Sequence, residues 1–195
     1  MSDFKNIYEQ MKEHGMQLPV EPFRIRIPDA KAVLEDCFSF FLSFENTRFS
    51  WQQEYEDVVE WLTDNKGRGL LLYGDCGRGK SILSRYVIPA ILLKCEQKVV
   101  SVYDAPQMNK NIDDVLKKHI ISLDDIGTED VSVNYGNKRL AFAEIIDAVE
   151  KQGKLVIIST NLSGSELERQ YGKRVMERII STTKRIEFRG RSLRK

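Results

Sequence analysis

The stretch GDCGRGKS, Gly74 to Ser81, is the most informative in the chain. It follows directly on the apolar run GLLLY (69–73) and spends three glycines in six residues before placing a lysine beside a serine. A plain turn between strand and helix needs glycine but not this spacing, which satisfies G-x-x-x-x-G-K-[ST] in full. Gly74 lets the chain turn sharply off a strand. Gly77 and Gly79 remove Cβ atoms, so that backbone N–H groups of the loop, those of Asp75, Cys76 and Arg78 included, can point into a concave nest around phosphate oxygens. Lys80 is placed to reach β- and γ-phosphates and Ser81 to offer a hydroxyl to Mg²⁺. The helix that follows turns its positive dipole end toward the same anion.

Outward from this loop the chain alternates. GLLLYG (69–74) gives way to SILSRYVIPAILLKC (81–95), then KVVSVYD (98–104), a short helix near IDDVLKK (112–118), HIISLDD (119–125), KRLAFAEIIDAVEKQ (138–152), KLVIIST (154–160) and KRIEF (184–188). Short β-branched runs separated by helical stretches imply a parallel sheet covered on both faces. The predicted class is therefore α/β, three-layered around a central parallel sheet. The glycine loop then lies at a strand's carboxyl end, where open α/β sheets bind ligands.

Two further constellations fall at strand ends. HIISLDDIGTE ends an apolar strand in Asp124 and Asp125, carboxylates that would be expensive to bury without a metal or proton partner. Asp124 is the candidate magnesium ligand, acting through water, and Asp125 the group that polarises an attacking water. Glu129 stays open between support for that pair and a plain surface charge. KLVIISTNLS ends in Thr160 and Asn161, and Asn161 can stand between a γ-phosphate and the two carboxylates to position the water.

Composition bounds the rest. A chain of 195 residues, 42% hydrophobic and 30% charged, can bury one good core. Net charge is only +1, so any nucleic-acid contact must come from local patches. Cys37, Cys76 and Cys95 lie far apart, and with His14 and His119 they suggest neither a zinc site nor a disulfide scaffold, which fits a reducing cytoplasm. No apolar run approaches membrane-spanning length, and the start is charged and periodic rather than signal-like. Ser2 can cap a first helix carrying Phe4, Ile7, Tyr8 and Met11, with Gly15 ending it. QLPVEPFRIRIP (17–28) reads as an extended linker, and Asp29 as the cap of a second helix, 30–44, bearing Phe38, Phe40, Phe41 and Phe44. A third helix is expected over 51–64. The expected division is a helical, partner-binding segment 1–45 and a nucleotide-hydrolysing core 46–195.

GDCGRGKS, LDDIGTE, ISTNLS, YGKRVMERI and a terminal FRGRSLR, in this order, resemble the AAA+ ATPases of the DnaC/DnaI helicase-loader family and the related IstB-like transposition ATPases. The likeness covers roughly residues 46 to 195. It implies an AAA+ P-loop core with a short N-terminal helical extension and no C-terminal helical lid domain, and ATP with Mg²⁺ as cofactors. It implies Asn161 as a sensor residue, Arg178 as an arginine finger acting on a neighbouring subunit, Arg174 one turn earlier, and Arg194 as a late sensor arginine beside the nucleotide. It further implies a homo-oligomer formed on nucleotide or partner binding, with a replicative helicase as partner. The segment YDAPQMNKNIDDVLKKH is shorter than in those loaders. Contact with single-stranded DNA is therefore expected at the basic region from Lys173 onward.

Three other readings stay open on the residues. An IstB-like transposase helper shares every ATPase motif. A small P-loop kinase would not need the paired aspartates or the TN after a late strand. A module that binds ATP only to hold a shape would keep the same motifs. NKNI (109–112) lacks the aspartate of a guanine-reading N-K-x-D.

Overall fold

The computed structural model describes residues 2–128, 133–134, 137–138 and 140–193; Glu129 and Arg194 lie outside them. In chain order the elements are α1 (Ser2–Glu13), α2 (Ala30–Ser43), α3 (Glu54–Thr63), β1 (Gly69–Gly74) and α4 (Lys80–Ile82). A π-helical turn, Leu83–Val87, leads into α5 (Ile88–Glu96), then β2 (Ser101–Asp104), α6 (Ala105–Lys110), α7 (Ile112–Val115) and β3 (Ile120–Ile126). A two-residue pair follows, β4 (Val133–Asn134) and β5 (Asn137–Lys138), then α8 (Ala141–Gln152), β6 (Leu155–Thr160), α9 (Gly164–Tyr171), α10 (Lys173–Thr182) and β7 (Thr183–Phe188). Among the described residues no helix is long and apolar enough to cross a membrane.

Among the described residues five strands form one sheet, all parallel as the alternating pattern predicts, in the order β2-β3-β6-β1-β7. The near-continuous apolar runs follow from burial on both faces. On β1, Leu70 and Leu72 enter one core with Phe38, Trp61, Val87, Ile157 and Phe188. Leu71, pointing the other way, enters a second core with Met108, Leu123, Phe142, Val156 and Ile179. The sheet is thus the middle of three layers. β3, β6 and β1 are consecutive neighbours, so Asp124 and Asp125, Asn161 and the glycine loop leave the sheet side by side at its carboxyl edge.

The helix predicted over 81–95 is interrupted. Pro89 has no N–H, and the carbonyl of Ser84, five residues earlier, is met instead by Ser122 Oγ at 2.7 Å from β3. The helix widens there into the π-helical turn before α5 resumes.

The division at residue 45 does not coincide with a break in packing. Ile25, Ile27, Leu34, Phe38 and Leu42 are buried in the same core as Leu70, Leu72 and Phe188. The proline-containing segment is held to the body by Asn65, whose Oδ1 accepts from Ile25 N–H at 2.8 Å and whose Nδ2 donates to the Phe23 carbonyl at 2.9 Å. α2 is core, and only its outer face, with Phe40 59% and Phe44 72% exposed, turns to solvent. α1 forms as its spacing predicts, but Phe4, Ile7 and Tyr8 are exposed. Asp29 occupies the residue before α2 in a left-handed conformation, φ 54°, and its side chain makes no cap bond. Its carbonyl instead accepts from Val33 N–H at 3.1 Å.

A truncated chain beginning at Glu45 would lose those five buried side chains, at roughly 1.5–3 kcal/mol each. That sum is comparable with the whole stability of an ordinary domain, about 5–15 kcal/mol. The truncated chain is expected to show no cooperative thermal transition by circular dichroism. A transition retained near that of the full chain would show α2 to be an appendage.

Candidate nucleotide-binding site

The loop 74–79 is shaped by what presses on it from behind. Gly79 sits at φ 94°, and a Cβ there would come within 2.9 Å of Phe38 Cζ and 3.1 Å of the Tyr55 hydroxyl oxygen. At Gly77, φ 72°, a Cβ would meet Ser192 Oγ at 2.1 Å. The last described residues lie along the loop: Gly190 N–H donates to Asp75 Oδ2 at 2.7 Å and Leu193 N–H to the Gly77 carbonyl at 2.8 Å.

Arg78 and Asp75 therefore do not aim their side chains at a phosphate. Arg78 is buried, donating to Glu54 Oε1 at 2.6 and 3.0 Å, to Gln52 Oε1 at 3.0 Å and to the Arg191 carbonyl at 3.3 Å. It clasps α3, the loop and the C-terminal segment, so Arg78 offers a phosphate its backbone only. Glu54 has no sequence signal that marks it as that partner.

Lys80 begins α4 with only 5% of its surface exposed, donating Nζ to the carbonyls of Gly74 at 2.9 Å and Asp75 at 2.7 Å. Burial pushes its pKa below the usual lysine value. In front of it opens a cavity of about 420 Å³ lined by Lys80, Ser81, Arg85, Asp124, Asp125 and Asn161 among others, with Cys76 on its rim. Gly77, Gly79 and Ile82 also line a second, more apolar cavity of about 280 Å³, walled by Phe38, Leu42, Phe49, Tyr55 and Leu193. The polar cavity suits a polyphosphate and the apolar one a flat ring. No motif in the sequence marks the second cavity; the aromatic residues Phe38, Phe49 and Tyr55 that cluster there are its one sequence signal.

The two aspartates behave differently. Asp124 is buried, and its carboxylate accepts from Ser84 Oγ at 2.7 Å, from Ser159 Oγ, and from Arg85 Nη1 at 3.4 Å. At Asp125 the β3–β6 ladder slips, with a register shift between Leu123 and Ile126, and φ turns to 56°. Asparagine and aspartate tolerate that left-handed region better than other side chains. The bulge leaves Asp125 N–H to donate to Ser159 Oγ at 3.1 Å and aims the carboxylate at Asn161, whose Nδ2 donates to Oδ1 at 3.0 Å. Ser84, Arg85 and Ser159, which organise this pair, belong to no sequence motif.

A magnesium ion fits this donor set. The Ser81 hydroxyl and the Asp124 carboxylate are hard oxygens on the same cavity, and Mg²⁺ takes few protein ligands, completing its shell from phosphate and water.

Arg178 lies outside the cavity. Its guanidinium pairs with Asp147 and, at 2.8 Å, with Glu150, joining α10 to α8. The Asp147 carboxyl is held below its usual range chiefly by a hydrogen bond from Lys151, with the charges of Arg178 and Arg174 adding to it. Arg174 is exposed one turn earlier. Much of the basic C-terminal region already faces carboxylates: Lys173 with Glu177, Lys184 with Asp57 and Glu60, Arg189 with Glu187.

The parallel sheet, the glycine loop at β1 and the aspartates at β3 together define a P-loop NTPase. Residues 49–188 match the family described as novel STAND NTPase 3, and the chain belongs to that family. Its fold is similar to that of the DnaC helicase loader, with a TM-score of 0.59 and 19% identity over 72% of this chain and 93% of the other. It is similar also to a putative primosome component from Streptococcus pyogenes serotype M3, with a TM-score of 0.50 and 23% identity over 86% and 87% of the two chains. AMPPCP-bound DnaA from Aquifex aeolicus matches with a TM-score of 0.54 and 15% identity, over 75% of this chain and 50% of that one. No curated protein matches it significantly by sequence.

Proposed function

We propose that this chain is a Mg²⁺-dependent ATPase of DNA replication that loads a replicative helicase onto DNA in the cytoplasm. The observation that carries the ATPase reading is the convergence of Lys80, Ser81, Asp124 and the Asp125–Asn161 pair on one cavity at the sheet's carboxyl edge. The likeness to DnaC and to a primosome component supports the replication role.

In this reading the loop N–H groups and Lys80 hold the phosphates, and the apolar cavity beside Gly79 takes the adenine. Bound magnesium would neutralise developing charge on the phosphates. Ser81 and Asp124 would hold it, and the two serines on Asp124 fix that carboxylate's orientation. Asp125, aimed by its bulge and held by Asn161, accepts a hydrogen bond from the attacking water. Arg178 completes the site of a neighbouring copy, so that hydrolysis depends on assembly. The exposed Arg185 and Arg191, on and just beyond β7, offer contact to a DNA backbone.

Size-exclusion chromatography of the chain with the replicative helicase of its own cell, with and without ATP, tests the partner. Co-elution that depends on ATP is expected. Co-elution with a transposase and not with the helicase would favour the IstB-like reading instead.

A further inference from the structure

Arg85 belongs to none of the motifs that define the site, yet its Nη1 stands 3.4 Å from Asp124 Oδ2 on the wall of the phosphate cavity. Its position follows from the helix irregularity. With Pro89 unable to donate and Ser122 taking the Ser84 carbonyl, the widened turn carries residues 84 and 85 toward β3. Ser84 Oγ then holds Asp124 Oδ1 at 2.7 Å while Arg85 takes the other oxygen. The two partners differ in freedom: the Asp124 side chain is 4% exposed and that of Arg85 37%. The carboxylate is fixed, and the cation stands partly in solvent, able to turn about its long side chain.

We propose that Arg85 guards Asp124 against a metal ion that arrives without nucleotide. The proposal rests on reading the cavity as the ATP and magnesium site. With Arg85 beside Oδ2, a dication arriving at Asp124 alone meets a fixed positive charge in a partly desolvated cavity and is repelled. The phosphates of a nucleotide change this balance. They offer Arg85 a bidentate anionic partner within the same cavity, which draws its charge away from Oδ2 and leaves that oxygen to the hydrated metal. Arg85 thereby couples the two ligands, and by linkage each strengthens the binding of the other. In this scheme Arg85 touches the nucleotide phosphates directly and reaches the metal only through Asp124.

The test uses Mn²⁺ alone as the probe, titrated into the full chain with free ion followed by electron paramagnetic resonance. Arg85→Ala is expected to bind Mn²⁺ about tenfold or more tightly than the native chain, the change that removal of one charge-assisted contact brings. Arg85→Lys, which keeps a cation, is expected to stay within a few-fold of the native value. A damaged fold would weaken Mn²⁺ binding, so a gain of affinity cannot come from misfolding. Unchanged or weaker Mn²⁺ binding in Arg85→Ala overturns the proposal. Lys80→Ala separates the two levels: full ATP affinity in that variant would sink the nucleotide reading itself. Lost ATP affinity there, with Mn²⁺ binding unmoved in Arg85→Ala, would remove only the guard.

Discussion

Arg178→Ala is expected to bind ATP with nearly unchanged affinity and to lose turnover by about 10³–10⁵-fold, the range an arginine finger contributes through the transition state. Arg178 does not line its own chain's cavity; it sits on α10 against Asp147 and Glu150. To act on a neighbour it must exchange those carboxylates for phosphate, a trade of one anionic partner for another. The shared-site arrangement gives a distinctive result. Lys80→Ala has a defective pocket but an intact finger, and Arg178→Ala the reverse, so a mixture of the two inactive variants is expected to regain part of the activity under conditions that allow assembly. If the mixture stays inactive although light scattering shows co-assembly, Arg178 does not act across subunits. If Arg178→Ala keeps its turnover and only melts at lower temperature, the residue is a clamp between α8 and α10.

Asp125→Asn is expected to leave ATP affinity within a few-fold of the native value and to lower turnover by roughly 10²–10⁴-fold, the contribution of a positioned general base. Asparagine is tolerated in the left-handed conformation that Asp125 adopts at the bulge, so the local backbone should survive the change. Amide and carboxylate nearly match in size, and the loss falls on the ability to accept a proton from water. Steady-state hydrolysis and equilibrium binding of ATP separate these effects. Binding abolished together with turnover would make Asp125 a direct metal ligand or a structural group.

Much of this architecture was legible in the sequence because the motifs carry their physics locally. The glycines of GDCGRGKS report a backbone that must approach another surface, and the run from Ile120 to Leu123 reports a strand covered on both faces. What stayed illegible depends on partners distant in the chain. Nothing near Arg78 announces Glu54 and Gln52, which turn its side chain away from the cavity. The prolines of 17–28 suggest a linker, but Asn65, some forty residues later, ties that segment to the core. Pro89 was visible inside an apparent helix; that Ser122 would meet the carbonyl it frees, and so bring Ser84 and Arg85 to Asp124, required the strand pairing. The hydroxyl of Ser159 reads as one more strand residue until β6 is set beside β3, where it bridges the two aspartates.

If the cavity before Lys80 binds nucleotide phosphate, titration calorimetry of ATP with Mg²⁺ into the native chain and Lys80→Ala will show it. The buried ammonium supplies a charge-assisted contact of about 1.5–3 kcal/mol. Its removal is expected to raise the dissociation constant roughly ten- to a hundredfold, with the thermal transition confirming that the variant is folded. An ATP affinity equal to that of the native chain, in a folded Lys80→Ala, would mean that the cavity does not hold the phosphates.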